Sequence, residues 1–392
     1  MGTLVAPHPG LEGGPVYLDY NATTPVDPAV LAAMWPHLAR EFGNPSSSHA
    51  YGLTAHGALT AARRQVQALL GAAADSSLVF TGSGSEADAL AIRGAVLASP
   101  RLGHGARVIT QATEHPAVLA ACEELRELHS VRVTVLPVDA TGTVDPQAVE
   151  DAIDEDTVLV SVMHANNETG TIQPIAQIAR IAHAHGALMH TDAAQSTGKI
   201  AVDAGTLGVD LLTVVGHKVY APKGVAALYV APGVALRPVV GGGGQEGGLR
   251  AGTENVPYAV GLGRAAELAV AALAAGETTR LAGLRDQLHA RLDELLPGRV
   301  HLNGHPTDRL PNTLNLSIDG VRALNVLDRL DGAAVSAGSA CHSGQDTPSP
   351  VLTAMGVPRQ QALSALRLSL GRWSTSAEAD QAAERISAAT RA

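Results

Sequence analysis

Two charged residues near the middle of the chain have neighbours that suit chemistry. Asp192 follows a short apolar run at 187–189, and Lys218 follows another at 211–215 by way of Gly216 and His217. Apolar runs of this length read as buried strands, and in α/β proteins ligand-binding groups collect where such strands end. An acid at one strand end and a lysine at the next suit a cofactor that carries both an aldehyde and an aromatic nitrogen. The lysine can hold the aldehyde as a Schiff base, while the carboxylate keeps the ring nitrogen protonated so that the ring can accept electrons from a carbanion. Pyridoxal phosphate (PLP) is a cofactor of this kind. By themselves the two residues fit equally well with a helix-capping aspartate and a solvated loop lysine.

Other stretches add to the pair. The run Phe80-Thr81-Gly82-Ser83-Gly84-Ser85-Glu86-Ala87 follows a predicted strand and opens a predicted helix. Its glycines let backbone N–H groups approach a ligand, and a helix N-terminus favours an anion. It also fits a loose dinucleotide fingerprint, which expects an acid at the end of the next strand. That strand ends Thr110-Gln111, with Glu114 the nearest acid, so a phosphate cradle is the better reading. His115 comes just after the same strand and can stack on an aromatic ring or move protons. Asn166 and Asn167 follow the strand predicted at 157–163, where they can bond a cofactor hydroxyl or form a turn. Cys341 stands among small residues, Ser336-Ala337-Gly338-Ser339-Ala340-Cys341-His342, which suit an exposed, mobile loop. His342, if protonated, would favour the nucleophilic thiolate. Cys122, on a predicted helix, reads as a small core residue. Arg367 is on the polar side of an alternating strand pattern and can clamp a carboxylate or form an ion pair. The glycine-rich run 241–253 reads as a backbone that must bend tightly or approach something closely.

These residues need a frame. Strands are predicted at 16–20, 78–81, 107–110, 131–136, 157–163, 187–189, 211–215 and 225–230, and helices separate most of them. That alternation predicts an α/β fold, a mostly parallel sheet with helices on both faces. Asp27 and Pro28 supply the cap and first turn of a helix running to about Arg40. From about Val256 the character changes to two Ala- and Leu-rich helices, followed by a smaller mixed segment with strands at 314–318 and 366–369. We expect a large cofactor domain at 16–256 and a small α+β domain at 257–392, joined by the N-terminal segment 1–25. Residues before Pro15 read as a flexible lead-in.

The chain has 392 residues, 46% of them apolar and 16% charged, as expected of a globular enzyme. Its formal net charge of −10 argues against nucleic-acid or anionic-membrane binding. Two cysteines without metal-ligand spacing suit a reducing compartment. The N-terminus lacks the pattern of a signal peptide, and no uninterrupted apolar run is long enough to span a bilayer. The expected location is the cytoplasm.

Taken together, LDYNATTPVDP, FGNPSSSHAYG, MHANNETG, HTDAAQSTGK, GHKVYAPKG, LRAGTEN, SAGSACHSG and LRLSLGR resemble, in order, the motifs of cysteine desulfurases of the NifS/IscS kind. These belong to the class-V aminotransferases, with PLP fold type I, and the resemblance spans residues 17 to about 372. It implies that Lys218 holds PLP, Asp192 pairs with its ring nitrogen and His115 stacks on the ring. It implies ring contacts from Asn167 and Gln195, and phosphate contacts from Gly84, Ser85 and His217, with Thr253 supplied by the other subunit of a homodimer. Arg367 would bind the carboxylate of L-cysteine, with Asn167 also contacting the substrate, and Cys341 would take the sulfur as a persulfide, leaving alanine. No metal site is implied, beyond Cys341 transiently sharing an iron–sulfur cluster with a scaffold. The acceptors would be an iron–sulfur scaffold or a tRNA-thiolation protein.

The chain departs from the family pattern at four places: Val215 where a hydroxyl residue is frequent, Gly247 for arginine, Ala89 for asparagine and His342 for threonine. Rival readings are a selenocysteine lyase or another class-V PLP enzyme, and a non-catalytic sulfur-relay or scaffold partner. A nicotinamide dehydrogenase is disfavoured by the missing ribose acid.

Overall fold

The computed structural model describes residues 7–337 and 347–391. Its centre is a seven-stranded sheet in the order Ser77–Thr81, Ala226–Val230, Leu211–Val215, Leu188–Asp192, Thr157–Ser161, Arg107–Gln111, Arg132–Leu136. Neighbours are parallel except for the two pairings of Ala226–Val230, which are antiparallel. The two faces are built by the period of two along each strand. Ala227 and Tyr229 enter one apolar cluster and Leu228 and Val230 the other. Helices Pro28–Ala39, Ala50–Leu69, Ile175–Ala184 and Val256–Ala274 cover the first cluster, and Gly84–Ala98 and Pro116–His129 the second. The expected doubly covered, mostly parallel sheet is therefore the one observed.

Strand order sets the place of the site. From Arg107–Gln111 the chain steps out to Arg132–Leu136, then returns to Thr157–Ser161 and proceeds the other way. Crossovers from these neighbouring strands diverge at their carboxyl ends and leave a crevice there. The segments leaving the strand ends start with capped turns. Asp27 Oδ1 accepts from Ala29 N at 2.8 Å, with Pro28 at the first helical position, and Asp145 with Pro146 repeats the arrangement.

The C-terminal part has its own core. Helices Glu277–Leu295 and Ser376–Arg391 pack on a three-stranded antiparallel sheet of Ala365–Ser369, Thr313–Ile318 and Val300–Leu302. Val16 and Leu18 belong to this same core, and Val16–Tyr17 pairs in parallel with Ala333–Ala334. The strand expected at 16–20 is thus only Val16–Tyr17, because the chain turns away at Asp19 to reach the crevice.

The lead-in also differs from expectation where it is described. The His8 ring packs edge-on against Trp373 at 4.7 Å, and its Nε2 bonds Val26 O at 2.9 Å. The strand expected at 187–189 instead runs Leu188–Asp192, because its polar residues are satisfied inside the sheet. His190 Nδ1 bonds Ser161 Oγ at 2.8 Å, and Thr191 Oγ1 donates to Val162 O at 2.7 Å. Helix Val256–Ala274 is long and apolar enough to cross a bilayer by composition. It packs instead on Ala50–Leu69 and Pro28–Ala39, and Arg264 and Glu267 interrupt it as an ion pair at 2.9 Å.

One close approach joins the two parts. A Cβ placed on Gly371 would lie 2.2 Å from the ring of Tyr20, which is buried. Gly371→Ala must displace that ring, and overpacking of this kind costs about 1–3 kcal/mol. We expect a lower urea midpoint with little change in slope; an unchanged midpoint would show that the Tyr20 contact yields freely.

Candidate active site

Lys218 closes the short 3-10 turn Gly216–Lys218, directly after strand Leu211–Val215. Its Nζ donates to Asn21 O and Ala22 O, both at 2.7 Å. Burial, reinforced by the Arg367 guanidinium, brings its pKa down to about 8. On the adjacent strand Asp192 is buried, and its Oδ1 accepts from Ala194 N at 2.8 Å. Its other oxygen has no hydrogen-bond partner among the described residues. Burial raises the Asp192 pKa, and the Ala194 N–H, His115 and Lys218 act against that rise.

His115 caps helix Pro116–His129, with Nδ1 accepting from Ala117 N at 3.2 Å. That bond uses Nδ1 as an acceptor, so the ring is the neutral tautomer protonated at Nε2. Burial lowers its pKa in the same sense. The structure therefore brings Lys218, Asp192 and His115 close enough for their charges to act on one another.

The asparagines divide their tasks. Asn166 builds the turn, accepting from Glu168 N and Thr169 N at 2.9 Å and donating to Thr113 O. The side chain of Asn167 has no partner among the described residues, while its carbonyl accepts from Arg367 Nη1 at 3.2 Å. Arg367, buried on Ala365–Ser369, pairs with Asp19 through Nη2 at 2.7 Å. Its Nε has no hydrogen-bond partner among the described residues. Gln195 is buried and bonds Asn21 O through Nε2 at 3.1 Å. His217 Nδ1 meets Thr23 Oγ1 at 3.1 Å, and burial lowers its pKa to about 4.

The glycine-rich turn after Ser77–Thr81 starts helix Gly84–Ala98 with Ser83 as its cap, so Gly84 and Ser85 occupy the first turn. A Cβ on Gly84 would lie 2.6 Å from Val215 Cγ2. The apolar Val215 thus packs against the cradle, where a hydroxyl residue was the more frequent expectation. The run 241–253 is not a free linker. Glu246 Oε2 accepts from Phe80 N at 2.9 Å and Arg63 Nη1 at 2.8 Å, and Arg250 pairs with Glu86 at 2.8 Å. Gly247, with φ +65°, accommodates the bend beside that anchor.

Thr253 is exposed. Cys341 and His342 lie outside the described residues. Cys122 is buried in Pro116–His129, and burial pushes its thiol up to about 12. A cavity of about 780 Å³ bordered by Arg322, Arg329 and Arg359 lies in the C-terminal part and shares no residue with this cluster.

Several site residues had no assigned role in the sequence reading. Asn21 lay within the recognised run LDYNATTPVDP, yet its carbonyl is the shared acceptor of Lys218 and Gln195. Asp19 and Lys199 likewise lay within recognised motifs. Asp88 gave no such signal; only the helix orientation places it under the sheet ends, with Oδ1 3.8 Å from His190 Nε2.

The donor set fits pyridoxal phosphate: a buried lysine, a buried carboxylate with a spare oxygen, a neutral imidazole that interacts with both, and a glycine-lined helix N-terminus. The architecture is that of PLP fold type I, and the comparisons give the family. The class-V aminotransferase profile matches residues 16–382. A cysteine desulfurase of Gluconacetobacter diazotrophicus is 48% identical over 93% of this chain and 91% of its own length. The cysteine desulfurase IscS of Methanosarcina thermophila is 44% identical over 95% and 91%. A solved NifS-like protein superposes with a TM-score of 0.87 at 36% identity, covering 95% of this chain and 98% of its own. The chain belongs to the class-V aminotransferase family, among its cysteine desulfurases, and its cofactor is pyridoxal 5′-phosphate.

Asp192 has two buried carboxyl neighbours, Asp88 and Glu114. Burial and then the Asp192 charge push Asp88 well above the carboxylate range. Burial does the same to Glu114, against the opposing bond from Met163 N at 2.7 Å. An acid with a raised native pKa folds holding its proton, so its contribution to stability declines as pH rises above the unfolded carboxylate value. Asn cannot titrate. Asp88→Asn should therefore raise the urea midpoint of the cofactor-free protein, relative to the parent, more at pH 8 than at pH 5. An equal change at both values would mean that Asp88 titrates normally.

Proposed function

We propose that the protein takes sulfur from L-cysteine through Cys341, releasing L-alanine and holding the sulfur as a persulfide. The observation that carries this reading is the buried pair of Lys218 and Asp192 at the ends of adjacent strands, in a chain of this family. One solved relative, 37% identical with a TM-score of 0.78, is described as SspA in complex with cysteine.

When bound, the cofactor's protonated ring draws electron density from the substrate Cα and weakens its C–H bond. Asp192 would keep the ring nitrogen protonated, and His115 would cover the ring face. Gly84, Ser85 and His217 would hold the phosphate, and Asn167 and Gln195 the ring substituents. Arg367 would bind the substrate carboxylate through the edge that carries its Nε. Lys218, whose pKa of about 8 places it near neutrality, would take the Cα proton. Cys341 thiolate would attack the substrate sulfur. An S–S bond forms as the C–S bond breaks, and the electron pair passes to the carbon skeleton, which takes up a proton at Cβ, regains one at Cα from Lys218 and leaves as alanine.

Sulfide and alanine released from L-cysteine with a thiol reductant test this. The parent should give near-equal amounts of both, and Cys341→Ala little of either while keeping its cofactor colour. Equal release by both proteins would replace the persulfide route with direct elimination. If neither protein released either product, selenocysteine would become the substrate to test.

The active form would be a homodimer. Leu31, Trp35 and Leu38 project from one face of Pro28–Ala39, Trp35 being 64% exposed, and Phe42, 74% exposed, stacks on Tyr51 beside them. Apolar surface of this kind marks an interaction face. Thr253, exposed in its own chain, would then complete the partner's phosphate site. Light scattering should give twice the chain mass of 40.0 kDa. Trp35→Glu should shift the mass toward one chain, and a parent of single-chain mass would overturn the assignment.

The domain division would fall near residue 256, with Val16 and Leu18 joining the N-terminal segment to the small domain. The persulfide would go to an iron–sulfur scaffold or a tRNA-thiolation protein in the cytoplasm.

A further inference from the structure

A second lysine is buried beside the site, and the proposed chemistry does not use it. Lys199 lies in the turn after Leu188–Asp192, and its Nζ donates to Gln195 Oε1 at 2.9 Å. Burial, with the positive charges of Lys218 and Arg367, pushes its pKa well below the usual lysine range. Burying an amine is costly, and one hydrogen bond is a small return in stability. The place of that bond is informative. Gln195 Nε2 donates to Asn21 O, the carbonyl that also accepts from Lys218 Nζ. An unbroken path therefore runs from Lys199 through Gln195 to the acceptor of Lys218.

A glutamine amide can sit in either of two orientations, and its neighbours decide which. Lys199 Nζ carries N–H in both of its charge states, and Asn21 O can only accept. Together they turn Oε1 toward Lys199 and Nε2 toward the Lys218 side. Lys199 is itself held by its backbone: its N–H donates to Ser196 O at 3.0 Å, and its carbonyl accepts from Thr278 Oγ1 at 2.9 Å. Thr278 lies on helix Glu277–Leu295, so the orienting lysine is fixed from outside the site.

We propose that Lys199 is a positioning residue that locks the Gln195 amide with its N–H side facing the cofactor's ring oxygen, and so sets the protonation equilibrium of the lysine-bound cofactor. This rests on the reading that Gln195 contacts a ring substituent. An N–H donated to the ring oxygen favours its anionic form and lowers the midpoint at which the chromophore loses its proton. Without Lys199 the amide keeps only its Asn21 O contact, and the rotational freedom it gains weakens that effect.

The test is a pH titration of the visible absorption band of the holoenzyme for the parent, Lys199→Met, Gln195→Ala and the double variant. Methionine keeps the length and removes both the donor and the buried charge, so the fold should tolerate it. The charged or titratable groups acting around Lys218 are Arg367, Asp192, Asp19, Lys223, His115 and His217, and all are constant across the four proteins. Each single variant should raise the midpoint by about 0.5–1 unit, the size of one hydrogen bond. The double variant should go no further than Gln195→Ala.

A shift from Gln195→Ala without one from Lys199→Met overturns the role of Lys199. Additive shifts overturn it too, since Lys199 would then act directly through its charge. No shift from Gln195→Ala overturns the contact assigned to Gln195, and the Lys199 role with it. Lys199→Gln retains an N–H donor and serves if the Met variant does not fold. Its midpoint should stay near the parent's, and a shift as large as that of Gln195→Ala overturns the proposal.

Discussion

Lys218 and Asp192 must both be kept out of water without either losing its function, and much of the structure around them answers that constraint. An isolated buried charge costs far more than a single contact returns, so each needs partners that do not neutralise it. Lys218 finds two backbone carbonyls, Asn21 O and Ala22 O, which solvate the amine without pairing with it. Those carbonyls lie on a loop that is itself pinned. Asn21 N donates to Ser369 Oγ at 2.9 Å, and Asn21 Nδ2 donates to Thr313 Oγ1 at 2.8 Å. The N-terminal segment therefore brackets the site from the C-terminal core, which explains why Val16 and Leu18 are buried there and not on the central sheet.

The same constraint governs the neighbouring charges. Asp88 and Glu114 are held toward their neutral forms by burial, which leaves Asp192 as the carboxyl answered by the positive charge of Lys218. His115 spends Nδ1 on a helix cap and His190 is buried within the sheet, so neither imidazole adds a fixed charge. Arg367 is matched by Asp19, and its Nε has no hydrogen-bond partner among the described residues. Charge is thus concentrated at Lys218, Asp192 and Arg367 in the crevice at the strand ends.

The glycine-lined turn at the start of Gly84–Ala98 is held by different means. The helix that presents Gly84 and Ser85 is tied to the glycine-rich run by the Glu86–Arg250 pair, and strand Ser77–Thr81 is tied to it by Glu246. Glycines let this run turn back on itself with positive φ at Gly247 and Gly248, while Glu246 and Arg250 fix where it turns. Flexibility of composition and rigidity of placement coexist because a few charged side chains anchor an otherwise featureless backbone.

The sequence alone determined the alternation of strands and helices, the type of sheet, and the placing of Lys218 and Asp192 at strand ends, because each depends on local pattern. Apolar runs of strand length, Asp-Pro caps and glycines before a helix act over a few residues, and ordered motifs preserve family membership. Val300–Leu302 and Ala333–Ala334 were not legible, since strands of two or three residues carry no period. The polar end of Leu188–Asp192 was equally hidden, because His190 and Thr191 are buried only by virtue of partners on neighbouring segments. Tertiary structure decided the rest of the site. Asn21 and Asp88 are distant in sequence from Lys218 and were given no chemistry by their local pattern. They become site residues through long-range contacts that no local pattern encodes, and through burial that turns ordinary amides, amines and carboxyls into groups that must find a partner.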